Sequence, residues 1–577
     1  MMLGNLVARR MYFSLAGLAI VLSGSGCFNS NVAPQAAPSP PVTNSSFTGP
    51  FVFEDISKTT GIQFEIKHTK SPLNILDTIG HGVGIVDFDG DGLMDIILLG
   101  PDKVKLFKNL GNHKFQDVTD QSGFKQKGYW CGIAIGDYDN CGRPDVFICG
   151  YDCSALYHNE GGGRFTDVTA GSGLEVKPSP PAAFPEWRSS AGFMDIDGDG
   201  KLDLYVCRYS EFGPSVPQLC GDSTKPEKYS CGPDAYHPQK GILFKGFGGG
   251  KFKDVTKESG MDQVHGRALG VAFFDYDGDG KVDIVVANDE QPGDLMRHKG
   301  GMKFENMGTI SGTALNTLGH VHGGMGIDTG DYNNDGKMDM FVTTYQNEAK
   351  SLYMNLGGGV FQDKALDAGL AEKMDHWVGF GVKFLDYDRD GQLDLAVTSG
   401  HVLDNTARVE PGTIYRQPLQ LFHLENGVYH ETTAQMVQGA PRQLVGRGLA
   451  TVDLNNRGWL DVIVTDHEGP TLFLKNAGLD KNHFINLQFV GTKSNRDGFG
   501  TMVKLTSGGR SQWKMVSNAG SYVTASDPRL FFGVGASDVA ESVEIAWPSG
   551  AIQILRNLKA DHFYRITEGE LNPKQIK

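Results

Sequence analysis

Positive charge is scarce in this chain: 53 Lys and Arg stand against 68 Asp and Glu, for a net charge of −15 at neutral pH. A nucleic-acid partner, which needs a basic footprint, is thereby excluded. The apolar run at residues 11–22 is too short to span a bilayer. Nucleophile elbow, zinc motif, phosphate loop and dinucleotide fingerprint are all missing, so no motif supports an enzyme. What the chain has instead is glycine, 77 residues of 577, with 40% hydrophobic residues. That combination suits many short strands joined by tight turns, and the length exceeds one ordinary core.

Arg9 and Arg10 precede the apolar run, which ends in Gly24-Ser25-Gly26-Cys27. This reads as a signal over 1–27 like that of a bacterial lipoprotein, with Cys27 as the lipidated residue and Gly24 as a departure from the usual site. Plain secretion is the alternative. Residues 28–50, rich in Pro, Ser, Ala and Asn, read as a flexible tether. In an exported chain the eight cysteines suggest disulfides. Cys220 with Cys231 is the best single pair, inside a loop with no other support, and Cys131 and Cys149 could pair across one hairpin.

One pattern recurs seven times: GIVDFDGDGLMDIILL from Gly84, AIGDYDNCGRPDVFIC from Ala134, GFMDIDGDGKLDLYVC from Gly192, AFFDYDGDGKVDIVVA from Ala272, DTGDYNNDGKMDMFVT from Asp328, KFLDYDRDGQLDLAVT from Lys383 and ATVDLNNRGWLDVIVT from Ala450. Each is an apolar strand, a D-x-D-x-D-G-x-x-D loop and a second strand. A second unit follows most loops, for example LFKNLGNHKFQDVTDQSGF from Leu106 and LYMNLGGGVFQDKALDAGL from Leu352. It supplies two more strands around a Gly-rich turn. The repeat predicts an all-β, seven-bladed propeller over 51–476. Residues 51–56 resemble an outer strand yet precede the first loop, so they are expected to complete the seventh blade and tie the ring.

Carboxylates at positions 1, 3, 5 and 9 of a tight loop, with Gly at 6, make a hard-oxygen cage suited to calcium. An EF-hand shares the first half but needs Glu at position 12. Here that position holds Leu98, Ile148, Val206, Val286, Val342, Val397 and Val464, and the EF-hand reading fails. Complete sets are Asp87, Asp89, Asp91 and Asp95 in blade 1, and Asp195, Asp197, Asp199 and Asp203 in blade 3. Blade 4 has Asp275, Asp277, Asp279 and Asp283, and blade 6 has Asp386, Asp388, Asp390 and Asp394. Blade 5 offers Asp331, Asn333, Asp335 and Asp339; blade 2 keeps Asp137, Asp139 and Asp145 but has Cys141 at position 5. Blade 7, with Asn455 and Arg457, should repel a cation. The expectation is about four to six structural Ca2+ ions, which would offset most of the net charge. Asp-Gly turns without metal are the plain alternative.

The repeats resemble FG-GAP/VCBS repeats, as in the integrin α-subunit propeller. Residues 482–569 resemble the ASPIC/UnbV domain through Ser494-Asn495-Arg496-Asp497-Gly498-Phe499-Gly500 and Trp547-Pro548-Ser549-Gly550. With Cys220 and Cys231-Gly232-Pro233, the pairing resembles bacterial relatives of cartilage acidic protein. Taken alone, the alternating runs 484–490, 502–506, 543–547 and 552–555 suggest a small β-sandwich.

Opposite the calcium loops, His81, Trp130, Trp187, Arg188, Arg267, His322, His376, Trp377 and Arg447 precede inner strands, and the insertions 208–241 and 401–420 join them. Such residues would suit a glycan or a carboxylate on an extracellular protein ligand; otherwise they pack blades. The favoured function is an exported calcium-binding adhesion or binding module, in the periplasm or at the cell surface, touching the membrane only through lipid. The runner-up is a polysaccharide-lyase-like enzyme using His322 with Arg267.

Overall fold

A computed structural model describes residues 52–577 apart from 178–183, 223, 225, 440, 479 and 480. The signal, Cys27 and the tether lie outside the described residues.

Seven four-stranded antiparallel blades follow one another, the sixth carrying an extra short strand, Gln443–Leu444. Their innermost strands are Val83–Val86, Tyr129–Gly136, Arg188–Met194, Ala268–Phe274, Ile327–Gly330, Gly379–Leu385 and Gly446–Val452. Each packs on the next, and the last packs on the first, so the ring is closed. Closure is made in the seventh blade, where Phe53–Asp55 is the outer strand and Phe53 pairs with Asn476.

The inner strands are covered on both faces by neighbouring blades, which explains their unbroken apolar runs. Outer strands such as Phe115–Asp117 bury only their Phe. Every second strand opens on the position-9 Asp of its loop, so Val86 faces Asp95 and Phe274 faces Asp283 across the hairpin. Gly at position 6 has φ between +76° (Gly458) and +90° (Gly142) in all seven loops. A side chain would strain each turn there.

Cys220 and Cys231 form the expected disulfide. Cys131 and Cys149 do not pair; both are free and buried. A bulge explains this correction: Trp130 faces Gly150 and Gly132 faces Cys149, so Cys131 is the extra residue. Its side chain enters a different core from that of Cys149.

The C-terminal domain is a sandwich of two four-stranded sheets. One holds Leu530–Gly535, His483–Val490, His562–Thr567 and Lys574–Gln575; the other holds Arg510–Met515, Met502–Ser507, Val539–Ala546 and Ile552–Lys559. Its last strand lies beyond residue 569. Ile485, Val503, Val543 and Trp547 share one core with Phe193 and Phe273 of the propeller, so the two domains pack as one body.

Between these sheets the chain leaves the sandwich and runs into the propeller. Ala525 exchanges main-chain hydrogen bonds with Val83 and Ile85 of blade 1 (3.0 and 2.9 Å), and Ser521 with Ile327 of blade 5 (2.6 and 3.0 Å). Asn518 donates to the Ile135 carbonyl of blade 2 at 2.8 Å, and the Ser521 hydroxyl accepts from the Val382 amide of blade 6 at 3.2 Å. Only a segment on the ring axis can reach inner strands of blades 1, 2, 5 and 6 together. Residues 518–525 therefore plug the channel. At the tip Tyr522 and Val523 have no exposed surface, and the Tyr522 hydroxyl donates to Ile79 at 2.8 Å.

Candidate metal loops and the opposite face

Each loop is framed by its own carboxylates. The position-6 amide donates to the position-1 Asp: Gly92 to Asp87 at 3.0 Å, Gly280 to Asp275 at 2.9 Å, Gly391 to Asp386 at 3.0 Å. The position-7 amide donates to position 5, as Leu93 does to Asp91 at 2.9 Å. The position-9 Asp ties the loop to the third strand through Asn109, His298 and Asn355 amides, each 2.7 Å from Asp95, Asp283 and Asp339. Asn109 and Asn355 then reach the neighbouring blade, donating to Leu454 and Tyr276 carbonyls at 2.7 and 2.8 Å.

This frame leaves oxygens over. Oδ1 of Asp89, Asp197 and Asp277 at position 3, Oδ1 of Asp195 and Oδ2 of Asp145 are buried with no hydrogen-bond partner. The carboxylates of Asp87, Asp89 and Asp95 converge on one another, as do those of Asp195, Asp197 and Asp199. A set of carboxylate oxygens, turned inward and unsatisfied, fits a hard divalent cation. Burial raises the position-9 carboxyls, Asp95, Asp283 and Asp339 to about 8 and Asp145 to about 9. A bound cation would relieve that cost.

The loops also face a basic side chain of the protein's own, which the repeat alignment alone does not reveal. On the third strand Lys108 bonds Asp89 and lies 3.0 Å from Asp91, and Lys245 bonds Asp197 and lies 3.1 Å from Asp199. Arg297 sits 2.7 Å from Asp277, His158 3.1 Å from Asp145 and His423 3.0 Å from Asp394. Their shared place in the third strand was the available signal. Blade 5 has Met354 there. In blade 7, Arg457 lies inside the loop, 2.9 Å from Asp461. Cys141 of blade 2 is exposed and free.

The C-terminal domain sits on this loop face. The Asp137 amide donates to Asp497 at 2.7 Å, and the Arg496 amide to Asn140 at 2.7 Å. Arg510 reaches the Asp390 carbonyl at 3.3 Å, and Arg529 the Asp453 carbonyl at 3.1 Å. The Asn495-Arg496-Asp497 stretch thus docks the sandwich on blades 2 and 3, and Phe499 is buried in the shared core.

On the opposite face the expected ligand residues are mostly packing residues. His81, Trp130, Trp187, Arg188, Arg267, His322 and Arg447 are all buried. Arg188 donates to the Leu174 carbonyl at 2.6 Å and pairs with Glu186 at 2.9 Å. Arg267 donates to the Tyr236 carbonyl at 2.9 Å, Trp130 to the Gln126 carbonyl at 3.2 Å, and Trp187 stands edge-on to Tyr209. Burial lowers His322 to about 4 and His81 to about 3, so both are neutral. Only Trp377, half-buried, and His376, exposed, meet solvent. The reason is physical: a long side chain at an inner-strand entrance lies between blades, where free carbonyls need donors.

The FG-GAP-like repeat family matches residues 87–148, 137–206, 275–342 and 331–397, and the ASPIC and UnbV family matches 491–573. Cartilage acidic protein 1 of Xenopus tropicalis is 24% identical over 340 residues, covering 57% of this chain and 40% of the relative. The human protein of that name is 24% identical over 445 residues, covering 65% and 62%. The chain thus spans about half the length of these relatives. Similar solved structures include an Agrocybe aegerita lectin described as recognising non-reducing terminal N-acetylglucosamine (TM-score 0.37, 17% identity, 63% of this chain and 80% of that one). A Bacillus licheniformis rhamnogalacturonan lyase is another (TM-score 0.36, 13% identity, 74% and 76%). Similarity at that level carries no functional argument. Among the described residues no helix is long and apolar enough to cross a membrane. The chain is an FG-GAP-like repeat protein with a C-terminal ASPIC and UnbV domain, homologous to cartilage acidic protein 1.

Proposed function

We propose that this is an exported calcium-binding propeller acting as a binding or adhesion module, held by lipid on Cys27 at a cell surface or in the periplasm, with a glycan or an extracellular protein as ligand. The observation that carries the calcium reading is the set of buried, unpartnered carboxylate oxygens inside framed loops. The residues of blades 1, 3, 4, 5 and 6, with the weaker set Asp137, Asp139 and Asp145 of blade 2, would hold the ions, which neutralise converging carboxylates and fix the turns between inner strands. The C-terminal domain occupies part of the loop face, which favours the opposite face for recognition. The enzyme reading gains nothing here, because His322 is buried beside Tyr353 (3.4 Å) and Arg267 is engaged by main-chain carbonyls.

The test is to strip residues 51–577 with a chelator, then record metal stoichiometry and melting on re-addition. Uptake of about four to six ions with a marked rise in melting temperature is expected; no uptake and no stabilisation would refute the metal reading. The pH dependence has a definite sign. A carboxyl raised in the fold, like Asp95 from 3.8 to about 8, adds stability in full below its unfolded value. That stability is lost as pH rises through the folded value. The metal-free protein should therefore melt higher at pH 5 than at pH 8, and calcium should stabilise most at pH 8. Equal calcium effects at the two pH values would contradict this account.

Lys108 competes with the ion in blade 1. Lys108→Met is expected to tighten that loop about 2- to 5-fold, the worth of a part-exposed ion pair. Calorimetric titration against the parent checks it, and unchanged affinity would mean that the ammonium does not contest the site.

A further inference from the structure

The face opposite the loops carries a cavity of about 340 Å³ beneath the Cys220–Cys231 loop. Its floor is apolar, from Leu269 and Met325 at the heads of blades 4 and 5. Its aromatic walls are Tyr209, Tyr345 and Phe380, and its polar groups include Asp289, Glu290 and Glu410. Among the described residues no Lys, Arg or His lines it. This is the reverse of the basic and aromatic face that the sequence predicts.

The three acids are half-buried and thus open to solvent on one side. Internal neutralisation is partial. Asp289 accepts from the Tyr209 hydroxyl at 2.5 Å, and Glu410 accepts from Gln346 at 2.7 Å, with His401 behind it at 3.5 Å. Arg267 approaches Glu290 only at its main-chain carbonyl, 3.5 Å away. Burial, with the charges of Glu290 and Glu348, raises Asp289 to about 7 against the Tyr209 hydrogen bond. The acids are therefore only partly neutralised, although two basic side chains stand behind the walls: Arg447 lies 3.9 Å over the Phe380 ring, and Lys350 donates to the Tyr345 carbonyl at 2.7 Å.

We propose that this cavity binds an organic cation: an ammonium group on an apolar body, from a free amine or a lysine side chain. The carboxylates and the tyrosine rings take the ammonium, the apolar floor takes the body, and the volume lies in the usual range for small-molecule sites. The disulfide holds the roof, since Ser230 to Asp234 line the cavity next to Cys231. The assignment deepens the binding-module reading. It is tested at saturating calcium, with metal uptake recorded separately, so that failure of one is not mistaken for failure of the other.

The experiment titrates the full chain with hexylammonium against hexanol, and with Nα-acetyl-lysine methylamide against its Nε-acetylated form. Tighter binding of either cation than of its neutral counterpart, by about tenfold or more, is expected. The better of the two cations identifies the source. Glu410→Gln and Glu290→Gln, each at an unchanged melting temperature, should each weaken the cation several-fold while leaving the neutral probes unaffected. Equal binding of neutral and charged probes, no binding of either cation, or indifference of both variants would overturn the proposal.

Discussion

Gly82→Ala yields no native protein, or one that unfolds at least about 4 kcal/mol more readily than its parent. A Cβ at position 82 would lie 1.7 Å from the Val523 carbonyl oxygen, 2.8 Å from its carbon and 3.2 Å from the Cys131 oxygen. All three are main-chain atoms, so no rotamer relieves the overlap. Gly82 is also fixed by its own amide, which donates to Cys131 at 2.9 Å. The plug has little freedom to retreat, because Ala525 and Ser521 on either side of the tip are bonded to blades 1 and 5. Its tip is already strained: Val523, a β-branched residue, has φ of +49°. Urea unfolding and chymotryptic nicking at Tyr522 are the measurements. Gly301→Ala, on an open turn with nothing within 4 Å, is the control and should cost only about 1 kcal/mol. A Gly82→Ala protein of normal stability would show that the channel is not filled.

Arg447→Ala is expected to cost about 3–5 kcal/mol of stability, comparable to breaking a buried charged network. The guanidinium has no exposed surface. It donates to the Thr78 carbonyl at 2.9 and 2.8 Å, to Gly400 at 3.0 Å, Gly446 at 2.8 Å and His401 at 3.3 Å, and lies 3.9 Å over the Phe380 ring. Truncation strands those carbonyls and leaves a void between blades 6 and 7. Arg447→Lys should recover only part of the loss, since an ammonium cannot span the same fork of acceptors. Thermal melting decides between this role and the one suggested by position alone. A variant with parental melting but impaired binding of a glycan or protein would restore Arg447 to the recognition surface.

The propeller could be read because its signal is periodic and local. Seven D-x-D-x-D-G-type loops fix seven inner hairpins, and the misplaced outer strand at Phe53 implied how the ring closes. The loops' internal frame was likewise implied by residue type, since an Asp at position 1 and a Gly at position 6 meet within one turn. The rest depends on contacts distant in sequence. Nothing in Ser517-Asn518-Ala519-Gly520-Ser521 marks a segment bound for the ring axis, because its partners are main-chain groups available at any strand. Arg188, Arg267 and Arg447 looked like ligand groups because type and placement show charge but not the carbonyls waiting for it. The acidic cavity escaped notice for the converse reason. Asp289 and Glu290 lie between the second and third strands of blade 4 and Glu410 in the corresponding connection of blade 6, with no local pattern joining them.

The closure between Phe53 and Asn476 also sets an order of assembly. The first strand is made before almost all of its blade, and at about 5–20 residues per second it waits some tens of seconds for its partner. Until then the nascent ring has an unpaired edge at each end, which invites pairing with other chains. The axial segment is made later still, so six or seven blades must gather around an empty centre before the filler exists. Maturation is therefore expected to be late and abrupt, with ring closure and filling of the axis as its last steps, rather than blade by blade.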